Sequence, residues 1–226
     1  ILESWTQWDK MLRRPHSVYI SPYDPEKHVW VVDDRMHAVY KFTHDGKTKV
    51  MTLGTYGQAG ADATHFNRPT FLDWFADGSF VVADGYYGTR VVKFDKDGRF
   101  LKAWGEKSTS PEDLRPSRFN NVHGIAIDPT TRRVFVNDRG NHRIQVFDKD
   151  GKFLRQWPVG ELTNLQFLIF ASDGSGVWGF ADRVSKVAKW DTEGHLLYAW
   201  GTLGMSPGML WGVHGLHVDQ DGNLYV

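Results

Sequence analysis

The sequence contains no cysteine. Disulfides and thiolate metal sites are therefore excluded, and any metal ion must be held by histidine, carboxylate or backbone oxygen ligands. No run of about 18 apolar residues is present, so the sequence predicts no transmembrane helix. No signal peptide is visible either. Because the sequence begins and ends within a repeated pattern, we expect residues 1–226 to be part of a longer protein, truncated at both ends.

The chain also lacks an excess of charge of either sign, with 27 basic and 27 acidic residues. It has no overall basic field that would attract nucleic acid or an anionic membrane. We therefore expect no nucleic-acid partner and no membrane span. What the chain has instead is 23 glycines and an aromatic content of 14%. That composition is typical of many short strands joined by tight turns.

A strand, an Asp-x-x-Gly turn and a second strand recur along the sequence. Glycine in the turn takes a positive φ, and the alternating apolar residues on both sides indicate half-buried strands. A further hairpin precedes each copy, so each unit has four antiparallel strands, as one propeller blade has. The predicted blades centre on residues 16–54, 66–105, 119–158 and 163–201, and the start of another lies at 209–226.

Two segments stand outside these four units. Residues Ile1 to Trp5 look like the outer strand of a preceding blade. Residues Gly105 to Pro116 form the least regular stretch, and we interpret them as an exposed loop between two blades.

One segment gives the repeat a family resemblance. Residues 136–147 contain Asn141-His142-Arg143-Ile144, which resembles the core of the NHL repeat. The resemblance implies an all-β fold, a β-propeller of NHL repeats with four-stranded antiparallel blades and six blades in the intact protein. It also implies that residues 1–226 belong to a single propeller domain.

Histidines open the first strand of alternate blades. Aligning the blades places His16, Thr70, His123, Gln166 and His214 in equivalent positions. The innermost strands of a propeller line its channel, and alternate blades of a six-bladed ring are a third of a turn apart, so three histidines would converge. Three imidazoles with an open position are the usual catalytic zinc arrangement, although iron, copper or nickel would also accept them. The alternative is that each histidine separately bonds to water or backbone.

Polar residues follow the second strand of each blade, at the edge where the histidines lie. We interpret the aspartates there as turn formers that accept backbone N–H groups. The arginines either pair with these aspartates or face the site. A tyrosine is also present, and a phenol beside a divalent metal and an arginine can act as a base. The residues are Asp34-Arg35, Asp84-Gly85-Tyr86-Tyr87, Asp138-Arg139 and Asp182-Arg183.

The whole arrangement resembles the catalytic core of the peptidyl-α-hydroxyglycine α-amidating lyases. The resemblance implies that His16, His123 and His214 bind a catalytic zinc. It further implies that Tyr86 is the general base and that Arg139 stabilises developing negative charge. The reaction of this family splits a peptidyl-hydroxyglycine into a peptide amide and glyoxylate, with no organic cofactor.

The sequence departs from that family in two ways. The family's other active-site arginine comes from a blade before the first histidine, and this sequence does not reach back that far. Gly215 stands where the family has an aspartate that helps to bind a structural calcium, which leaves a calcium site in doubt. The resemblance favours a secreted or periplasmic location.

Two classes of function are compatible with these residues. The first is a metal-dependent, lyase-like enzyme that cleaves an α-hydroxyglycine-type or related hydroxylated C–N substrate, either a small molecule or a peptide. The alternative is a non-enzymatic NHL propeller that binds a protein or another ligand, including a structural or sensor domain of a larger protein. We expect a monomer in either case.

Overall fold

The computed structural model describes residues 3–110, 112–219, 221 and 223–226. It divides into two compact units, Ile1–Trp104 and Gly105–Val226. The regular structure of the described residues consists of β-strands and three single turns of 3-10 helix, Thr6–Trp8, Arg139–Asn141 and Asp182–Val184. Nowhere in the described part of the chain does a helix have both the length and the apolar character needed to cross a membrane.

The first unit contains two four-stranded antiparallel sheets, in which each strand pairs with the next one in the chain. The first sheet consists of β1 (Pro15–Ile20), β2 (Val29–Asp33), β3 (Ala38–Phe42) and β4 (Lys49–Leu53). The second consists of β5 (Pro69–Trp74), β6 (Phe80–Asp84), β7 (Arg90–Phe94) and β8 (Phe100–Trp104).

The second unit begins with a short parallel pair, β9 (Glu106–Lys107) and β10 (Arg118–Phe119). Its first sheet consists of β11 (Val122–Ile127), β12 (Val134–Asp138), β13 (Arg143–Phe147) and β14 (Phe153–Pro158). Its second sheet consists of β15 (Leu165–Phe170), β16 (Val177–Ala181), β17 (Lys186–Trp190) and β18 (Leu196–Trp200). A hairpin of β19 (His217–Val218) and β20 (Leu224–Tyr225) follows.

These four sheets are the propeller blades that the repeat predicts, and their bounds agree closely with the predicted ones. The all-β class and the four-stranded antiparallel blades are therefore confirmed. We number the blades 1 to 4 in chain order. The six-blade count and the single domain over 1–226 stay predictions.

The Asp-x-x-Gly turns join the third and fourth strands of the blades. In blade 2 the Asp95 carboxylate accepts the backbone N–H groups of Asp97 and Arg99. Gly98 takes a φ of +80° there, a conformation that is costly for a residue with a side chain. The turns of blades 3 and 4 repeat this bonding with Asp148 and Asp191. The glycine therefore sets where each outer strand begins.

Within each unit, apolar residues of neighbouring blades pack on one another. In the first unit, Trp30 of blade 1 contacts Trp74 and Phe80 of blade 2 edge to face, with ring centroids 5.6 and 5.0 Å apart. In the second unit, Phe135 of blade 3 contacts Phe170 of blade 4 at 5.3 Å. This packing brings the first strands of two successive blades side by side.

Two expectations need correction. The outer strand predicted over Ile1 to Trp5 is not found in the described part of this segment. Ile1 and Leu2 lie outside the described residues, and Glu3 to Trp5 form no strand. Instead the rings of Trp5 and Trp8 pack on Phe42 at 5.8 and 5.1 Å, so apolar burial and not strand pairing holds this segment. The stretch between blades 2 and 3 is also more regular than predicted, because it contributes β9 to a parallel pair.

Candidate functional site

The five aligned positions are equivalent in the structure wherever a blade is complete. His16, Thr70, His123 and Gln166 are each the second residue of a six-residue first strand. In all four strands the pairing register with the second strand shifts at this residue, which marks a β-bulge. A bulge breaks the alternation of a strand and re-aims a side chain, and bulges are frequent beside active sites. His214 precedes β19.

His16 lies in the first unit with both ring nitrogens engaged. Its Nδ1 is 2.9 Å from the backbone oxygen of Thr70 in the next blade. Because a carbonyl only accepts hydrogen bonds, Nδ1 carries the proton and the neutral ring has its lone pair on Nε2. Nε2 is 3.0 Å from the phenolic oxygen of Tyr86, which therefore donates to it. The ring of Phe71 lies edge to face against the imidazole at 5.0 Å.

His123 is held in the same way in the second unit. It is fully buried, and its Nδ1 donates to the backbone oxygen of Gln166 in the next blade. Each histidine thus bonds the carbonyl at the aligned position of the following blade. A backbone acceptor on one ring nitrogen is the usual support of a metal-binding histidine, because it fixes the tautomer and presents the other nitrogen as the ligand. The donor set therefore fits zinc.

His214 lies beside His123 within the second unit, with ring centroids 6.0 Å apart and planes nearly perpendicular. Partial desolvation lowers the pKa of His214, and the nearby positive charge of Arg139 lowers it further, although Asp182 opposes this. Both main influences favour the neutral imidazole, which is the form that binds a metal.

Arg139 is oriented by the blade that follows it. It is the first residue of the 3-10 turn after β12, and its Nη1 donates to Oε1 of Gln166 at 3.2 Å. Gln166 therefore holds His123 by its backbone and Arg139 by its side chain. Gln166 was not among the residues that the sequence predicted for the site, although its aligned position was a signal that could have identified it.

Two arginines that the sequence did not predict for the site surround Tyr86. The guanidinium carbon of Arg68 is 4.6 Å from the centre of the Tyr86 ring, and that of Arg14 is 5.5 Å away. Both donate to the carboxylate of Asp34. Each arginine stands two residues before an aligned position, in Arg14-Pro15-His16 and Arg68-Pro69-Thr70. That repeated Arg-Pro pair was the sequence signal that could have identified these two arginines.

Of the four aspartates after the second strands, Asp182 accepts the side-chain amide of Asn164, and the other three divide into two kinds. Asp84 accepts the backbone N–H of Asn67, and Asp138 that of Asn120, as the interpretation of them as caps predicts. Asp34 differs, because its carboxylate binds the two arginines, and Asp33 accepts the backbone bonds instead. The pairing register shows that Asp33, and not Asp34, occupies in blade 1 the position that Asp84 and Asp138 occupy in their blades.

Two of these aspartates form buried ion pairs with the third strand. Arg90 donates to Asp84, and Arg143 to Asp138. Each guanidinium also donates to backbone oxygens of the segment that enters its blade, those of Ala61, Asp62 and His65 for Arg90 and those of Arg115 and Arg118 for Arg143. Burial raises the pKa of Asp84 to about 6, against the opposing effect of Arg90.

The predicted site residues thus fall into two groups. His16 and Tyr86 are in contact within the first unit. His123, His214 and Arg139 lie together in the second unit, where Gln166 joins the first and the last of them. That the three histidines share one metal ion stays a prediction.

The fold and the repeat define the class of this protein as an NHL-repeat β-propeller. Residues 119–147, most of blade 3, match the NHL repeat family. A virginiamycin B lyase structure from Staphylococcus aureus superimposes with a TM-score of 0.65 at 16% identity, covering 93% of this chain and 62% of that one, which shows the fold alone.

In sequence, the chain resembles amidating enzymes. It is 33% identical over 182 residues to peptidyl-glycine alpha-amidating monooxygenase A of Xenopus laevis, covering 75% of this chain. It is 34% identical over 150 residues to peptidyl-alpha-hydroxyglycine alpha-amidating lyase 1 of Drosophila melanogaster, covering 63%. The chain spans 19% of the first relative and 27% of the second.

Proposed function

We propose that this protein is a metal-dependent lyase that cleaves the C–N bond of an α-hydroxyglycine-type substrate. The observation that carries the proposal is the matched support of two histidines. His16 and His123 each donate Nδ1–H to the backbone carbonyl at the aligned position of the next blade. This arrangement leaves Nε2 of each ring as the nitrogen that would bind a metal. The relatives named as amidating enzymes support the same reaction class.

His16, His123 and His214 would hold the metal, and zinc suits three neutral imidazoles with one open position. When bound, the ion would polarise the hydroxyl and carbonyl oxygens of the substrate. The absence of cysteine leaves nitrogen and oxygen as ligand atoms, which excludes the sulfur-rich structural zinc sites.

Tyr86 would act as the general base in its deprotonated form, once Nε2 of His16 holds the metal and no longer accepts the Tyr86 hydroxyl. Its oxygen lies 3.0 Å from Nε2 of His16, so it would be close to a substrate hydroxyl held by a metal on that nitrogen. Loss of the hydroxyl proton to Tyr86 converts the C–O bond to the carbonyl of glyoxylate. The electrons of the C–N bond would leave with nitrogen, which would take up the proton that Tyr86 had accepted and become the peptide amide. No oxidation or reduction occurs.

Arg139 would stabilise the negative charge that develops on the substrate oxygens. The bond from its Nη1 to Gln166 fixes the guanidinium before substrate arrives, and such preorganised donors cost no reorganisation during the reaction. Removing one charge-stabilising donor of this type typically lowers kcat about 100-fold or more.

The proposal is tested by metal analysis of the purified protein. Inductively coupled plasma mass spectrometry is applied to the wild type, to a His16→Ala/His123→Ala/His214→Ala variant and to His142→Ala, whose exposed histidine belongs to the repeat motif. We expect about one equivalent of zinc in the wild type and in His142→Ala, and none in the triple variant. Glyoxylate release from an N-acyl-α-hydroxyglycine should follow the metal content.

A wild type that takes up no metal even when zinc is supplied, and that releases no glyoxylate, overturns the proposal. The non-enzymatic binding module then becomes the better account of the fold.

A further inference from the structure

The backbone at Arg68 is in the left-handed region, with a φ of +64°. It stands two residues before the aligned position of its blade. The same place in the following blades is taken by Asn121, Asn164 and Gly212, whose φ values are +67°, +58° and +63°. Asparagine and glycine adopt this conformation at low cost, whereas arginine does not. The backbone conformation of this turn does not favour arginine. We therefore attribute the arginine at position 68 to a role of its side chain.

Asp34 holds that side chain in a fixed position. Its carboxylate, which is 0% exposed, accepts bonds from Nε and Nη2 of Arg68 at 2.9 and 2.6 Å. The same carboxylate accepts bonds from Arg14. One carboxylate thus serves two guanidinium groups beside Tyr86, so neither arginine has it to itself.

The remaining edge of the Arg68 guanidinium faces away from Asp34. Asp34 binds the edge formed by Nε and Nη2, and the fork formed by Nη1 and Nη2 is the second edge of the same plane. The rings of Tyr86 and Tyr87 lie against this guanidinium, with their centres 4.6 and 4.7 Å from its central carbon. Two aromatic contacts and Asp34 thus fix its orientation, which a planar bidentate ligand requires.

Arg68 suits this role better than Arg14. The Arg14 side chain is 49% exposed and more distant from the Tyr86 ring, whereas the Arg68 side chain is 19% exposed. A partly desolvated cation binds an anion more strongly than one in free solvent.

We propose that Arg68 binds a carboxylate of the substrate beside Tyr86, and that Asp34 positions it. This inference rests on the proposed lyase function, because an α-hydroxyglycine with a free C-terminus carries a carboxylate one bond from the carbon that bears the hydroxyl. A guanidinium fork matches a carboxylate with two parallel hydrogen bonds. Arg68 would therefore select the free acid over a neutral amide or ester of the same molecule.

The test compares two substrates that differ in that group, N-benzoyl-α-hydroxyglycine and its primary amide. The variants are Arg68→Met, which removes the charge, and Arg68→Lys, which keeps the charge but loses the fork. Arg35→Met is the matched control, since Arg35 is an exposed arginine in the turn next to Asp34. Circular dichroism and thermal unfolding show whether each variant folds. If Arg68→Met does not fold, Arg68→Lys is the variant that tests the inference.

We expect Arg68→Met to lower kcat/KM for the acid about 100-fold and to leave the amide within about 2-fold of wild type, as loss of a hydrogen-bonded charge pair implies. Arg68→Lys should lose about 10-fold on the acid alone. A merely structural role would affect both substrates equally, and that result overturns the inference.

A second measurement separates this inference from the lyase proposal. If the wild type turns over neither substrate, the lyase proposal fails, and calorimetric titration with N-benzoylglycine decides the role of Arg68. Binding to wild type and to Arg35→Met that is lost in Arg68→Met supports the carboxylate site. No binding to wild type, or equal binding to all three proteins, overturns it.

Discussion

The phenolic oxygen of Tyr86 donates a hydrogen bond to Nε2 of His16, although the two residues are 70 positions apart in the chain. One belongs to the first strand of blade 1, and the other follows the second strand of blade 2. They meet because the first strands of these two blades lie side by side. The first unit therefore places a candidate base beside a candidate metal ligand by packing two successive blades.

Replacing Tyr86 with phenylalanine should lower kcat for glyoxylate release about 100- to 10,000-fold, the range for loss of a general base. KM and zinc content should change little, because the ring and its arginine contacts remain. Tyr87→Phe is the control, since the Tyr87 side chain is adjacent in the chain and 71% exposed. Steady-state kinetics and metal analysis on the same preparations provide the measurement. Wild-type kcat in Tyr86→Phe contradicts the assignment.

Gln166→Ala should lower kcat about 5- to 10-fold with the metal retained. The side chain that orients Arg139 is lost, and a hydrogen bond of this kind contributes about 1 kcal/mol. The backbone carbonyl that supports His123 stays. In the double variant with Arg139→Ala, Gln166→Ala should add no further loss, since the two residues act together. Additive losses in this double-mutant cycle would separate Gln166 from Arg139.

Gly124→Ala should destabilise the protein, whereas Gly215→Ala should not. Both glycines follow a predicted ligand histidine. A Cβ on Gly124 would lie 2.6 Å from the backbone nitrogen of Leu168 and 2.7 Å from the carbonyl carbon of Phe167, whereas one on Gly215 meets nothing within 4 Å.

Because the clash of Gly124→Ala is with backbone, β11 and β15 must separate, at a cost of about 1–3 kcal/mol. Urea unfolding measures the loss, and zinc affinity should fall with it because His123 shifts. Equal stability of the two alanine variants would contradict the close approach of these strands.

Arg90→Met should destabilise the protein by about 3–5 kcal/mol near pH 8, because it leaves the buried carboxylate of Asp84 without its cation. The pKa of Asp84 is already raised to about 6 by burial, and loss of Arg90 raises it further. A group whose pKa is raised on folding favours the folded state at low pH and loses that contribution as the pH rises through the folded pKa. The destabilisation should therefore be smaller at pH 5 than at pH 8.

Urea unfolding at the two pH values measures this difference. Arg99→Met is the control, since the Arg99 side chain is 79% exposed and its pairs with Asp95 and Asp97 are long. Such surface pairs contribute little, so this variant should unfold like wild type at both pH values. A loss in Arg90→Met that is independent of pH would show that Asp84 does not titrate in this range.

The sequence was sufficient to predict the blades, because their cause is local. The Asp-x-x-Gly turn needs one carboxylate and one glycine at fixed spacing, and Gly98 and Asp95 satisfy that within four residues. The equivalence of His16, Thr70, His123 and Gln166 was also predictable, since each opens the first hairpin of a recognisable repeat.

The arginine cluster around Tyr86 was not predictable in the same way. Arg68 reaches Asp34 across 34 positions, and such a pairing depends on the side-chain directions of two blades. Nor could the sequence distinguish Asp33 from Asp34 as the backbone cap, because adjacent aspartates differ only in pairing register, and a shift of one residue reverses the side-chain direction. The packing of Trp5 on Phe42 was likewise decided by tertiary contacts.

The arginines in the ion pairs Asp84–Arg90 and Asp138–Arg143 connect each sheet to the chain segment that precedes it. Each arginine donates to backbone oxygens upstream of its own blade, so the same side chain contacts the second strand and the entering segment. In blades 1 and 4 the register places Ala38 and Lys186 at the position of these arginines. We therefore expect unravelling of the sheet in blade 2 or blade 3 to loosen its upstream connection as well.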